Sequence, residues 1–280
     1  MILVTTAGKV GSEAVRLLRQ RALPVRVLVW DPKKAEALAE AGAEIAAGDL
    51  GVPRTIDEAM AGITTVVLVS PAVPAQELDI VHSAARAGVE HIIKITSKAS
   101  ADSPVARRRG QAEIEAGLAA SALGHTVLRS NAYMQNFLAL APAIAQTGGF
   151  GSSAGAGRVG LIDARDVGAV VAVIAAAPAT HVGKTYWLTG PDLLSYADVA
   201  VVLSTVLGRP ITYHELSFAD DEAAMIRAGV PAPVAEMNAR AFSLIATGDA
   251  AWRSEDVPSL LGRSARSFEQ FAADYAAAFS

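Results

Sequence analysis

Short apolar runs alternate with amphipathic stretches along the first 130 residues. Ile2–Thr5, Val25–Trp30, Glu44–Ala47, Thr65–Val69, His91–Thr96 and Thr126–Arg129 are rich in Val, Ile and Leu. Their apolar residues are nearly continuous, the pattern of strands buried on both faces of a parallel sheet. Between them the apolar residues fall at helical spacing: Val10, Ala14, Leu17 and Leu18, then Ala35, Leu38 and Ala41. Ile56, Ala59 and Met60 form a third stripe, and Leu78, Val81, Ala84 and Ala85 a fourth. Asp31-Pro32 supplies a helix cap followed by proline at the first helical position. Gly42, Gly62 and Gly88 stand where helices end. Strand–helix–strand units of this length need right-handed crossovers, so the pattern predicts a doubly wound, parallel α/β sheet.

The rhythm changes after Ser130. Ala132–Gln146 reads as one helix, glycine-rich Gly148–Gly157 as a flexible loop, Arg158–Ile162 as a strand and Asp166–Ala177 as a helix returning to the sheet. Thr185–Leu188 and Ile211–Glu215 read as strands around a helix at Tyr196–Leu207. The tail from Asp220 is mostly helical, with Pro231 and Pro233 as breaks. The expected organisation is a nucleotide-binding type of domain over residues 1–150, rejoined by 158–178, and a smaller α+β lobe over 179–280.

Composition narrows the function classes. At 52% hydrophobic and 19% charged, the chain has enough apolar surface to fold and is not of the disordered class. No apolar run approaches the ~20 residues of a membrane span. A net charge of −4 argues against nucleic acid as a partner, and the lone basic cluster, Arg107-Arg108-Arg109, reads as a solvated helix turn. The absence of cysteine excludes disulfides and thiolate chemistry. The start at Met1-Ile2-Leu3-Val4 carries no basic leader, so a cytoplasmic protein is expected. His82, His91, His125, His181 and His214 are scattered singly, so no metal site is expected.

The first strand runs into Thr5-Thr6-Ala7-Gly8-Lys9-Val10-Gly11. Gly8 and Gly11 occupy the first strand-to-helix turn, where glycine lets the backbone approach a pyrophosphate and lets the helix pack closely on the strand. Trp30-Asp31 follows about twenty residues later, where an acidic side chain binds a ribose hydroxyl; capping the next helix is the equal alternative for Asp31. Lys33 and Lys34 either reach a 2′-phosphate or are solvated.

Several further stretches add to this: Gly48-Asp49-Leu50, Ala87-Gly88-Val89, Leu128-Arg129-Ser130-Asn131 with Tyr133 and Asn136, Asp163-Ala164-Arg165-Asp166, Leu188-Thr189-Gly190-Pro191 and Leu261-Gly262-Arg263. Taken in order over nearly the whole chain, they resemble the NmrA-like branch of the atypical short-chain dehydrogenase/reductases. The resemblance is greatest to the quinone oxidoreductase type 2 and triphenylmethane reductase group. It implies a Rossmann-like fold and a dinucleotide, NADP or NAD, held by the loop residues Thr6, Gly8, Lys9, Val10 and Gly11. It also implies Trp30, Asp31 and Lys34 near the ribose, Asp49 and Leu50 near the adenine, and Val69, Ser70 and Pro71 along the cleft. Thr96, Ser97 and Tyr133 would lie near the nicotinamide.

The chain also departs from the family pattern. Its loop is one residue shorter and lacks the first glycine, and Trp30 stands where an arginine usually serves a 2′-phosphate, leaving Lys34 and Lys9 as cations. The Tyr-x-x-x-Lys pair of typical short-chain enzymes is missing: the helix Pro104–Leu123 contains neither residue. Tyr133 is the remaining candidate acid, with packing as its other reading. Asp163 and Asp166 have the look of a carboxylate dyad, but their position in the family pattern implies a strand-to-helix cap and salt link. The expected function is NAD(P)H-dependent reduction of a quinone-like or conjugated small molecule by a monomer or homodimer. Its pocket would be walled by Tyr133, Asn136, Phe137 and Phe150. A dinucleotide-sensing regulator without turnover, and a fold member that binds no dinucleotide, are the alternatives.

Overall fold

The computed structural model describes residues 1–280. Its first half runs β1 (Ile2–Val4), α1 (Lys9–Gln20), β2 (Val25–Val29), α2 (Glu36–Glu40), β3 (Glu44–Ala47), α3 (Pro53–Ala59), β4 (Thr65–Leu68), α4 (Pro74–Ala87), β5 (His91–Thr96), α5 (Ala106–Ala120) and β6 (Gly124–Ser130). Then follow α6 (Ala141–Thr147), β7 (Gly149–Ser152), β8 (Arg158–Val159), α7 (Ala164–Ala176), β9 (Thr185–Leu188), β10 (Leu194–Ser195), α8 (Tyr196–Leu207) and β11 (Thr212–Glu215). The tail holds α9 (Phe218–Arg227), α10 (Ala232–Ala246), α11 (Asp256–Leu261), α12 (Phe268–Asp274) and α13 (Ala276–Phe279).

The main sheet has seven strands in the order β3-β2-β1-β4-β5-β6-β9, paired in parallel throughout. This is the Rossmann-like, doubly wound α/β arrangement the pattern predicts, in which the strand order reverses beside β1 and opens a crevice at the carboxyl ends. Alternate residues of each strand feed two apolar layers. Val4, Val27, Val67 and Ile93 pack under α1 and α7 with Val15, Leu18, Val167 and Val171. Leu3, Leu28, Val66, Leu68 and Ile92 pack under α3 and α4 with Ile56, Ile80 and Val81. The stripes therefore hold the helices to the sheet, and the turns between them are left free to build a site.

A third apolar cluster belongs to the C-terminal lobe, where Phe137 packs on Phe150, Tyr196 and Phe268 at centroid distances of 5.9, 5.3 and 5.2 Å. Phe137 and Phe150, expected as pocket walls, are buried in this cluster.

Other elements also differ from the expectation. Ala132–Gln146 is not one helix: a 3-10 turn at Met134–Ala139 precedes α6, because Pro142 cannot continue an incoming helix but suits the start of a new one. Glycine-rich 148–157 is not all loop, since Gly149–Ser152 pairs in parallel with Thr212–Glu215. A side chain at Gly149 would come within 3.0 Å of Thr212 O, so glycine allows this close approach. The prolines do break the helical tail as expected: α9 ends at Arg227 and α10 begins at Ala232, with Pro231 as its N-cap and Pro233 in its first turn. Thr185–Leu188, on the lobe side of the expected boundary, supplies the seventh strand of the main sheet.

Candidate functional site

The turn after β1 is tied to the end of β4. The Thr5 hydroxyl donates to Val69 O at 2.7 Å and accepts from Val69 N at 2.9 Å, and the Thr6 hydroxyl donates to the same carbonyl at 2.9 Å. The chain then enters α1 with Gly8 at the N-cap, and no side chain caps the helix. The first amides of α1 have no intrahelical acceptor, and no acidic side chain stands in its first turn. The two glycines serve different purposes. A Cβ on Gly11 would fall 1.9 Å from Thr6 O, so Gly11 lets α1 lie against the turn. A Cβ on Gly8 would meet nothing nearer than Thr6 Oγ1 at 4.0 Å, so the space beside Gly8 is open.

Beside this turn a cleft of about 420 Å³ follows the carboxyl edge of the sheet toward β3. Of the residues singled out from sequence, Thr6, Trp30, Asp31, Lys34, Asp49, Leu50 and Pro71 line it. Trp30 is 79% exposed, which places the indole as a free face at the cleft and not as part of the core. Asp31 accepts from Lys33 N at 3.1 Å, so it is the cap, and it also lines the cleft. Asp49 is fixed by its own loop, accepting from Gly51 N at 2.8 Å while its amide donates to Thr55 Oγ1 at 3.0 Å. A Cβ on Gly48 would lie 2.9 Å from Thr55 Cβ, so glycine lets this loop close on Thr55. Sequence reasoning missed Gln76 as a lining residue; its place in the first turn of α4, directly after β4, was the available signal.

The remaining candidates lie elsewhere. Val10 is buried at 5% under the helix, so only its backbone is near the turn. Lys9 turns away from the cleft: its ammonium donates to Gln135 O at 3.3 Å and Asn136 Oδ1 at 3.4 Å, and it lines a separate hollow of about 670 Å³ between α1, α2 and Tyr275. That leaves Lys34 as the cation of the cleft. Val69 is the anchor described above, and Ser70 donates to Glu77 Oε1 at 2.6 Å.

Thr96 ends β5 and Ser97 follows it, beside Ser130 at the end of β6. The hydroxyl oxygens of Ser97 and Ser130 are buried without a hydrogen-bond partner. Unpaired buried hydroxyls are costly, and two of them at adjacent strand ends mark where a polar ligand group would be received. Tyr133 bridges to Ile162 and packs on the sheet cluster. Burial pushes its phenol above the usual value. Tyr133 therefore stays protonated and can donate, but it is a weak acid.

Asp163 caps α7, accepting from Arg165 N at 2.8 Å, and also meets the Arg165 guanidinium at 2.6 Å and Gln135 Nε2 at 2.8 Å. Asp166 is paired with Arg263 at 2.7 Å and with Arg266. The two aspartates are a cap and a salt link that join the lobe to the sheet. Arg108, expected to be solvated, instead donates to Asp249 at 2.6 Å. Lys98 reaches the other Asp249 oxygen at 2.7 Å, and Asn131 holds Ala250 O at 3.0 Å. These bonds strap the end of α10 across the carboxyl ends of β5 and β6. Burial alone would raise the Asp249 carboxyl, but the bonds from Lys98 and Arg108 outweigh it and hold it below the usual range.

No group of three or more potential metal ligands is present, and no helix is long and apolar enough to cross a membrane. The NmrA-like family profile matches residues 1–256. An NAD(P)H azoreductase of Xenophilus azovorans is 38% identical over 283 residues, covering 100% of this chain and 99% of that protein. The NADPH-dependent quinone oxidoreductase of Escherichia coli, solved with NADPH, superposes with a TM-score of 0.88 at 29% identity, covering 98% of this chain and 99% of that one. The Citrobacter sp. triphenylmethane reductase, solved with NADP(H), gives 0.86 at 27% identity, covering 98% and 100%.

Proposed function

The chain belongs to the NmrA-like family, and from that premise we propose that it is an NAD(P)H-dependent oxidoreductase that reduces a quinone-like or conjugated small molecule. The observation that carries the reading is the open space beside Gly8, next to uncapped amides at the start of α1 and one residue beyond Ala7, which lines the cleft. Such a turn receives a pyrophosphate without steric conflict. The residues present therefore fit a dinucleotide. Gly8 and the first amides of α1 would hold the diphosphate. Trp30, Asp31, Lys34, Asp49 and Leu50 would hold the adenosine half, and Thr96, Ser97 and Ser130 the nicotinamide half.

When bound, the reduced nicotinamide supplies the hydride. The chain's own residues bind, orient and exclude water. The strap from Asp249 to Lys98 and Arg108 covers the strand ends. The phenol of Tyr133, protonated at every physiological pH, can donate a hydrogen bond to an acceptor oxygen or nitrogen without giving up its proton. An electron-poor acceptor such as a quinone needs little more general-acid help than this, which agrees with the missing Tyr-x-x-x-Lys pair.

Names of relatives support the substrate class: they are reductases of azo compounds, quinones and triphenylmethane dyes. The reading takes the protein to be cytoplasmic, monomeric or homodimeric, and not a nucleic-acid binder; the net charge of −4 supports the last point. Titration with NADH and NADPH, followed by the fluorescence of exposed Trp30, tests the binding step. Saturable quenching is expected, and its loss in Gly8→Val at unchanged fold. No response to either dinucleotide would refute the reading.

A further inference from the structure

We propose that the buried Glu77–Lys94 ion pair is a positioning device: it holds the Ser70–Pro71–Ala72 turn against the cleft and so sets the protein's affinity for its dinucleotide. The inference rests on the reading that this cleft takes a dinucleotide.

The turn itself is strained. β4 ends at Leu68, and the chain reaches Ala72 with φ +65°, a left-handed conformation that a Cβ disfavours. Ala72 is also buried at 9%, so the strain is held by the surroundings. The hold is visible. Ser70 Oγ accepts from Ala72 N at 3.2 Å and donates to Glu77 Oε1 at 2.6 Å. Glu77 sits in the first turn of α4, and its other oxygen lies 2.5 Å from Lys94 Nζ on the neighbouring strand β5. The two charged side chains have no solvent exposure at all. From α5, the Glu115 carboxylate also faces Lys94 and is itself matched by Arg129 at 2.5 Å.

Stability gives no reason for such a pair. Removing two charges from water is costly, and apolar residues of similar shape commonly do as well in its place. What the charges add is a short, charge-assisted bond to one particular hydroxyl. A carboxylate accepts from Ser70 more strongly than a neutral amide would, and the contact with Lys94 at 2.5 Å ties that carboxylate to a central strand. Pro71 and Gln76, at either end of the segment so pinned, both line the cleft. The position of that wall is thus set from inside the sheet by residues that never touch the ligand.

The test uses the full chain. Glu77→Gln combined with Lys94→Met removes both charges together, so no unpaired charge is left to unfold the protein. Ser70→Ala cuts the same link and leaves the pair intact, which keeps the question decidable if the double variant does not fold. Ala72→Gly releases the strained φ. Hydrogen exchange at the Ala72 amide, calorimetric affinity for NADH and NADPH, and KM against kcat with menadione are measured in each.

The double variant and Ser70→Ala should exchange the Ala72 amide about tenfold faster or more. Their dinucleotide Kd and KM should rise about fivefold or more, with kcat within about twofold of native. Ala72→Gly should melt higher yet bind the dinucleotide less tightly, a combination that a purely structural role does not produce. Unchanged exchange at Ala72 in the folded variants would overturn the proposal whatever the cleft binds. Faster exchange with native affinity, in a protein that binds the dinucleotide, would overturn the link to binding. A native protein that binds no dinucleotide refutes the functional reading instead, and the exchange measurement still decides whether the pair holds the turn.

Discussion

Replacing Trp30 by arginine should move the protein's cofactor preference toward NADPH. Trp30 is 79% exposed, so its loss leaves no cavity in the core and any effect belongs to the cleft. At present the end of β2 offers an indole, the Asp31 carboxylate and, one turn on, the Lys34 ammonium. The carboxylate can accept a ribose hydroxyl but repels a 2′-phosphate. A guanidinium at position 30 would add a charge-assisted contact of roughly 1.5–3 kcal/mol, and solvent at so exposed a position reduces that to about 1.4 kcal/mol, or about tenfold in affinity. The native protein is therefore expected to prefer NADH or to discriminate poorly. Calorimetric titration with NADH and NADPH in native, Trp30→Arg, Lys34→Ala and the combined variant measures the shift and isolates the contribution of Lys34. A native preference of about a hundredfold for NADPH that survives Lys34→Ala would refute the reasoning, because no cation lining the cleft would then account for it.

Two further outcomes follow from the packing. Gly11→Ala improves helix propensity by about 1 kcal/mol, yet its Cβ would lie 1.9 Å from Thr6 O. The clash should win by about 1–3 kcal/mol, a melting temperature lower by several degrees for a chain of this size; a higher melting temperature would contradict the assigned role. The buried ring of His91, bonded to Thr126 Oγ1 at 2.9 Å, is pushed down to about 4 by burial and by the charges of His125 and His181. The folded protein thus keeps His91 neutral while the unfolded chain protonates near pH 6.5, so this stabilisation is complete above pH 6.5 and is lost as pH falls toward 4. Between pH 7 and 5 urea melts should show native stability falling by on the order of 2 kcal/mol more than that of His91→Gln, and parallel profiles would show that His91 is not the cause.

The sheet was legible because its strands are buried on both faces and its helices carry one stripe, patterns that local sequence must express. Gly8 and Gly11 were legible for the same reason, since the turn between β1 and α1 is local. What escaped notice depends on partners distant in the chain. Lys94 reads as one polar residue in an apolar strand, and nothing near it announces Glu77 in the preceding helix. Arg108 reads as one of three solvated arginines until α10 brings Asp249 to it. Gly149–Ser152 carries one strand-favouring side chain, Phe150, between two glycines, and its pairing with β11 makes it a strand. Lys9 sits in the nucleotide turn by sequence, but its side chain follows Gln135 and Asn136 away from the cleft. Tertiary contacts therefore redirected the side chains of Lys9, Lys94 and Arg108 and turned a segment read as loop into a strand.

The central claim is that a reduced nicotinamide dinucleotide, held at the turn of Gly8, gives its hydride to a bound acceptor. Its most direct test is the oxidation of NADH and NADPH by the native protein with menadione, repeated with dinucleotide deuterated at the transferred position and with Gly8→Val. Gly8 has φ −77° and open space around it, so valine there should leave the fold intact. The account predicts menadione-dependent oxidation, slowed by the deuterium label and abolished in a folded Gly8→Val. Binding of the dinucleotide without oxidation, or turnover undiminished in Gly8→Val, would contradict it.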